Sequence, residues 1–288
     1  MRRVECPDCG VKTEMVPWAE GKFTSCNVFR LFLATWARRL SWKETASCFN
    51  TSWDIVCESV KWVVQYGLKH RDLEGVEAVG VDEVAYSKGH QYMTLVYQID
   101  KNCKRLIAVI KDRKTSSLEG FFEEMGTSWC ESIKVACSDM WRPYLKVIAD
   151  KLPNALNILD RFHIVKKLNE AVNKVRVEEV KNLKSNGYEP VMKGAKYCFL
   201  KRSENLTEKQ STQLSELLRY DLKTVRAYCL KEAFDAFWKY NSPYWAHWFM
   251  QKWCTRVMRS RLDPMKKFVK TLRNHEHLLM NYFKANKQ

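Results

Sequence analysis

No run of the 288-residue chain approaches the roughly 18 consecutive apolar residues that a membrane-spanning helix needs. The opening segment Met1-Arg2-Arg3-Val4-Glu5-Cys6-Pro7 lacks the apolar core of a secretory signal. Neither a lipidation signal nor a strongly amphipathic basic helix stands out. A membrane role is therefore disfavoured, and a cytoplasmic protein is expected. Internal repeats and low-complexity tracts are absent too, which excludes solenoids and disordered arrays.

Acidic residues are scarce. The 33 Asp and Glu face 49 Lys and Arg, giving a formal charge of +16 and a pI near 9.3. That excess favours a polyanionic partner, and nucleic acid leads. A hydrophobic fraction of 46% suffices for a real core, with room for about two domains. The 11 cysteines of a chain without an export signal read as reduced thiols, mostly core filler. One Cys-x-x-Cys exists, Cys6-Pro7-Asp8-Cys9, half of a zinc knuckle that normally takes four ligands. A partner such as Cys26 would complete it, or a second half lies upstream of this chain; a bare pair without Zn²⁺ is the competing and preferred reading.

Residues 27–40 carry apolar residues at helical spacing, Phe29, Leu31, Phe32, Leu33, Trp36 and Ala37, with Arg38 and Arg39 near the end where a helix dipole favours cations. Ser41 reads as the cap of a second helix to Phe49, and Asn50-Thr51-Ser52 as a turn into a third helix from Trp53 to Tyr66. This is a helix-turn-helix outline over 27–72. Such a unit would present Arg38, Arg39, Thr51, Ser52 and Trp53 to DNA. An ordinary three-helix bundle with a solvated polar face is the alternative.

From Val76 the apolar period becomes strand-like. One strand carries Asp82, a second spans Tyr92–Ile99 and a third Arg105–Lys111, an antiparallel meander. Thr115 is expected to cap a helix ending at Gly126. A fourth strand, Ile133–Cys137, runs into Asp139, a helix covers Tyr144–Asp150, and a fifth strand, Ala155–Leu159, precedes Asp160 and a long helix from His163 to Leu183. Strand–helix–strand crossovers make the first, fourth and fifth strands parallel neighbours, with the meander at one edge of a mixed sheet. Ligands gather at the carboxyl ends of such parallel strands. A carboxylate within an apolar strand is costly unless partnered, so Asp82 with Asp139 suggests a shared cation. A salt-bridged or hydrogen-bonded Asp is the plainer alternative. Core packing is the preferred reading of Trp141 and Phe162 over contact with a splayed base. Residues 169–288 are helical in pattern, and Arg256, Arg259, Arg261, Lys266, Lys267, Lys270 and Arg273 are dense enough to suggest phosphate contact.

Several of these segments occur together in one family. Val79-Gly80-Val81-Asp82-Glu83-Val84-Ala85-Tyr86-Ser87-Lys88-Gly89-His90, Ser138-Asp139-Met140-Trp141-Arg142-Pro143-Tyr144, the run from Asp160 through His163 to Val172, and Arg259-Ser260-Arg261-Leu262 resemble the DDE transposases of the ISL-three group of bacterial insertion sequences. The resemblance extends in order over nearly the whole chain. It implies a ribonuclease-H-like α/β core over 73–168, a knuckle-like segment over 1–26, the helix-turn-helix domain over 27–72 and an all-α insertion region over 169–288. It also implies metal-dependent strand cleavage and strand transfer at inverted-repeat ends, with DNA as partner, homo-oligomers on DNA and a nucleoid location in a bacterium.

In that family three acids hold two Mg²⁺ (or Mn²⁺) ions. By position Asp82 matches the first and Asp139 the second, with Asp160 and His163 supporting them. The third, a Glu in a Val-Glu-Gly-Leu-Asn-Asn type motif, has no counterpart here, and Asp160, Glu170 and Glu276 are the conceivable stand-ins. The chain is therefore expected to be truncated relative to the family, with poor binding of a second ion and little strand transfer. A catalytically inactive remnant that binds only DNA or a full-length transposase is the alternative.

Overall fold

In the computed structural model, which describes residues 3–13, 25–89, 91–188 and 191–285, the chain divides into two units, Met1–Leu73 and Glu74–Gln288.

The first unit opens with a hairpin of β1 (Arg3–Cys6) and β2 (Gly10–Thr13), Cys6 pairing with Gly10. Residues 14–24, within the knuckle-like segment, lie outside the described residues. Three helices follow: α1 (Asn27–Trp36), α2 (Trp42–Cys48) and α3 (Trp53–Lys69). Ser41 starts α2 with a reciprocal cap, its hydroxyl accepting from the Glu44 N–H at 3.2 Å and its own N–H donating to Glu44 Oε2 at 2.9 Å. Two orphan amides are thereby satisfied. Asn50 adopts a left-handed φ of 46°, which Asn tolerates better than most residues, and it turns the chain into α3. The Ser52 hydroxyl accepts from the Ile55 N–H at 3.3 Å and caps that helix. Leu33, Ala46 and Val56 form the small core. Helix α1 is shorter than the apolar spacing implied, and Leu31, Phe32 and Trp36 remain exposed because the buried side of α1 is Arg30, Leu33 and Ala34, with Phe29 packed beside them.

The second unit is built on a five-stranded sheet of β3 (Ala78–Ser87), β4 (Gln91–Gln98), β5 (Arg105–Ile110), β6 (Val135–Ser138) and β7 (Leu156–Leu159), ordered β5-β4-β3-β6-β7. β3, β6 and β7 are parallel neighbours, while β4 and β5 add an antiparallel meander. This mixed arrangement is compatible with a ribonuclease-H-like core. Its apolar residues explain the topology: Val79, Val81, Val96, Ala136 and Ile158 are buried, so the central strands need cover on both faces.

Helices α4 (Thr115–Met125), α5 (Thr127–Ser132) and α6 (Arg142–Lys151) intervene. Lys114, not Thr115, occupies the cap position of α4, without a side-chain cap hydrogen bond. Gly126 ends α4 at a φ of 84° and at once begins α5. Gly80 sits where a Cβ would come within 3.2 Å of Ile99 Cγ2, so a larger residue there would press on the Ile99 side chain.

The helical part begins with α7 (Arg161–Ser185), a continuous helix leaving the sheet, and continues through α8 (Lys196–Leu200), α9 (Glu208–Leu217), α10 (Lys223–Asp235), α11 (Pro243–Met258), α12 (Asp263–Asn274) and α13 (Glu276–Lys284). Its core centres on Leu168, Val172, Phe199, Phe234, Trp253 and Phe268. The Glu179 carboxylate on α7 accepts from the amides of Lys223 and Thr224, both at 2.7 Å, and from the Thr224 hydroxyl at 2.6 Å. A buried acid thereby caps the amino terminus of α10, where unpaired amides favour negative charge. Tyr282 and Ala285 pack on Ala78, Val135 and Ile158, and Asn281 donates to the Asn157 carbonyl at 2.9 Å, fixing α13 to one face of the sheet. No helix among the described residues is long and apolar enough to cross a membrane.

Candidate functional site

Parallel register creates the site. Val81 pairs with Ser138 and Ser138 with Leu159, and the next residue on each strand is an acid: Asp82, Asp139 and Asp160. The ladder continues one step further, as the Asp160 N–H donates to the Ser138 carbonyl at 2.8 Å. Alternation along strands puts these acids on the face that α13 covers lower down.

Each acid is oriented by its own backbone. One oxygen of Asp82 accepts from the Glu83 N–H, one of Asp139 from the Trp141 N–H, and one of Asp160 from the Phe162 N–H, all at 2.8 Å. The Asp160 bond caps α7, and the Asp139 bond closes the turn that leads into α6, so local turns hold these acids in place. His163, in the first turn of α7, lies between two of them, with Nε2 at 3.6 Å from both Asp82 Oδ1 and Asp160 Oδ2. Those distances are electrostatic contacts beyond hydrogen-bond length. Asp82 is not the buried carboxylate expected of an apolar strand: its side chain is 49% exposed, because β3 runs past the end of β6 and Asp82 lies beyond the last pair.

An open cleft of about 390 Å³ is lined by Asp82, Glu83, Asp139, Tyr92, Arg113, Trp141, His163, Lys166, Lys167 and Glu170. His163, Lys166, Lys167 and Glu170 recur at helical spacing and form one face of α7. Glu83 is the innermost acid. The Arg113 Nε donates to Glu83 Oε1 at 2.7 Å and lies 2.6 Å from Oε2, an ion pair. Arg113 also lies over the rings of Trp141, at 4.2 Å, and Tyr92, at 5.4 Å, so aromatic faces fix the cation. Burial raises the Glu83 carboxyl above its ordinary range; Arg113 opposes that shift, while Asp139 and Asp82 add to it. Burial likewise pushes the Cys137 thiol up to about 12, with Asp160 and Asp82 contributing.

Of the residues singled out from sequence, Asp82, Asp139, Asp160, His163 and Glu170 come together at this end of the sheet. Glu276 does not: it pairs with His247 Nδ1 at 2.8 Å and Gln251 at 2.7 Å. Trp141 packs on Tyr144 and Arg113, whereas Phe162 is 67% exposed and not the core residue expected. The sequence assigns no site role to Glu83, Arg113, Tyr92, Lys166 or Lys167; the spacing from His163 is the signal that points to the two lysines. In the first unit, the Asp8 amide and the Cys9 side chain hold the Cys6 thiol below its ordinary range, and Cys9 is raised in turn. The pair is adjacent, and no group of three or more metal-ligating side chains forms among the described residues. Arg38 and Arg39 lie past the end of α1, exposed, and not in its last turn. Thr51 precedes the Ser52 cap, and Trp53, 50% exposed, leans on Trp42 at 5.5 Å.

Residues 79–288 match the model of a family described as Transposase, of the DDE type named for ISL3. The chain belongs to the ISL3-type DDE transposases. It is 24% identical to the transposase of insertion sequence element IS1001 from Bordetella parapertussis, over 96% of this chain and 68% of that one. It is 26% identical to the transposase of IS1557 from Mycobacterium tuberculosis, over 80% of this chain and 57% of that one. The chain thus spans about two thirds or less of the relatives' lengths.

Proposed function

We infer that the chain cleaves DNA strands at the inverted-repeat ends of an insertion sequence and joins them to a target, using the acid row of the second unit. One observation carries this reading: Asp82 and Asp139 follow paired residues of neighbouring parallel strands, and both face a cleft that also carries cations. The donor set fits a hard divalent cation. Each acid commits one oxygen to a backbone amide and keeps the other, and Mg²⁺ commonly takes one or two carboxylates, completing its shell with waters and substrate phosphates. Asp82 and Asp139 would hold the ion. When bound, it supplies Lewis-acid polarisation of the scissile phosphodiester and an activated oxygen nucleophile.

The chain's own residues do the rest. His163 stands between Asp82 and Asp160, 3.6 Å from each. Lys166 and Lys167 offer phosphate contacts on the rim, and the Glu83–Arg113 pair anchors the cleft floor beside Trp141. The three-helix unit is the reading for sequence-specific DNA contact through Arg38, Arg39, Thr51, Ser52 and Trp53, with copies assembling on the DNA ends.

A second reading, DNA binding without cleavage, is favoured by the lack of a three-acid metal cluster among the described residues. Purified protein incubated with Mg²⁺ or Mn²⁺ and DNA bearing the element's inverted repeats separates the two. Cleavage at the repeat ends that vanishes in Asp82→Ala and Asp139→Ala supports the enzyme, and binding without cleavage supports the second reading. Absence of DNA binding at low salt contradicts both.

A further inference from the structure

Helix α11 has two faces of different chemistry. Ala246, Met250, Trp253, Cys254 and Val257 are buried, and the Trp253 indole N–H donates to the Leu230 carbonyl at 2.8 Å. That face meets the packing needs of the core. The opposite face carries three more large aromatics, Tyr244, Trp245 and Trp248, at 69%, 53% and 43% exposure. Their rings form an edge-to-face ladder with centroids 5.2 and 6.0 Å apart. The same face then turns cationic: the Lys252 Nζ sits 3.5 Å above the Trp248 ring, and Arg256 and Arg259 continue the row beside Thr255 in a shallow groove.

The spacing of Trp245, Trp248, Lys252, Arg256 and Arg259 keeps them on one stripe of the helix, about 21 Å long at 1.5 Å per residue. Exposed aromatics alone would suit a protein partner. Their continuation into a row of cations selects a strand that has both flat apolar groups and regular negative charge. We propose that this stripe is a binding site for unpaired nucleic-acid strand, in which Tyr244, Trp245 and Trp248 stack bases and Lys252, Arg256 and Arg259 grip phosphates. None of its residues lines the acid cleft. The inference rests on the reading of DNA as partner and adds the chemical form of DNA that this face takes: single-stranded, as frayed or cleaved ends are.

The test is fluorescence anisotropy of the full chain with a labelled oligothymidylate and, separately, a labelled duplex. Trp245→Ala/Trp248→Ala should weaken single-strand binding about 10-fold or more and leave duplex binding within about two-fold, while Trp245→Phe/Trp248→Phe restores most of the loss. Lys252→Ala/Arg256→Ala/Arg259→Ala should lower the slope of log affinity against log salt on the single strand by about 2. Unchanged single-strand affinity in the tryptophan variant overturns the proposal, as does an equal loss on duplex. Loss of self-association in that variant with DNA binding intact also overturns it and marks the stripe as a protein interface. A wild type that binds duplex but no single strand refutes this site alone. A tryptophan-dependent single-strand affinity in a protein that cleaves nothing leaves this site standing and removes the strand-cleavage reading.

Discussion

Arg113 is the structural keystone of the cleft floor, and its removal tests how the acids are held. Its Nε reaches both oxygens of Glu83, at 2.7 and 2.6 Å, with the Glu83 side chain only 13% exposed. Two unit charges at about 4 Å attract by about 4 kcal/mol at an effective dielectric constant of about 20. Desolvation offsets part of this, and the 36% exposure of Arg113 lets solvent screen more. A coupling of about 1–3 kcal/mol is expected. The assay is a double-mutant cycle of Arg113→Met and Glu83→Gln by denaturant unfolding. Arg113→Met alone should be the worst variant, since it leaves Glu83 charged beside Asp82 and Asp139, and Glu83→Gln should recover part of the loss. A coupling below about 0.3 kcal/mol, within the scatter of independent sites, would refute the pairing.

Burial holds the Glu83 carboxyl above its ordinary value, so the folded state binds that proton more tightly than the unfolded chain. Stability from this group therefore falls as pH rises from the unfolded to the folded value; NMR titration should find the Glu83 value raised, and raised further in Arg113→Met. Glu179→Ala strips two amides and a hydroxyl of their acceptor and should cost about 3 kcal/mol, a fall of about 6–12 °C in Tm by calorimetry; a fall under about 2 °C would contradict the cap. Gly80→Ala meets Ile99 Cγ2 at 3.2 Å and should cost about 1–2 kcal/mol, a cost that shrinks in an Ile99→Ala background, where Cγ2 is absent, in the same unfolding assay.

The sheet was legible because its strands keep a two-residue apolar period bounded by turns, and crossover rules then fixed β3, β6 and β7 as parallel neighbours. Asp82 and Asp139 stood out for the same reason, as charges beside apolar runs. Sequence could not show that Asp82 is half exposed, since that depends on how far β3 outruns β6. Nor could it show Arg113, one of three cations just after β5, whose importance comes from Glu83, 30 residues earlier in sequence. The short α5 was missed because Gly126 ends one helix and begins the next. Phe162 looked like core by residue type, yet the capping turn at Asp160 points it outward.

The central claim is that Asp82 and Asp139 jointly hold the divalent ion that DNA cleavage requires. Mn²⁺ titration followed by electron paramagnetic resonance measures this directly on the full chain. The account predicts binding that is lost in Asp82→Ala and in Asp139→Ala, with folding retained, and preserved in Glu276→Ala. Mn²⁺ affinity unchanged by both aspartate substitutions would contradict it.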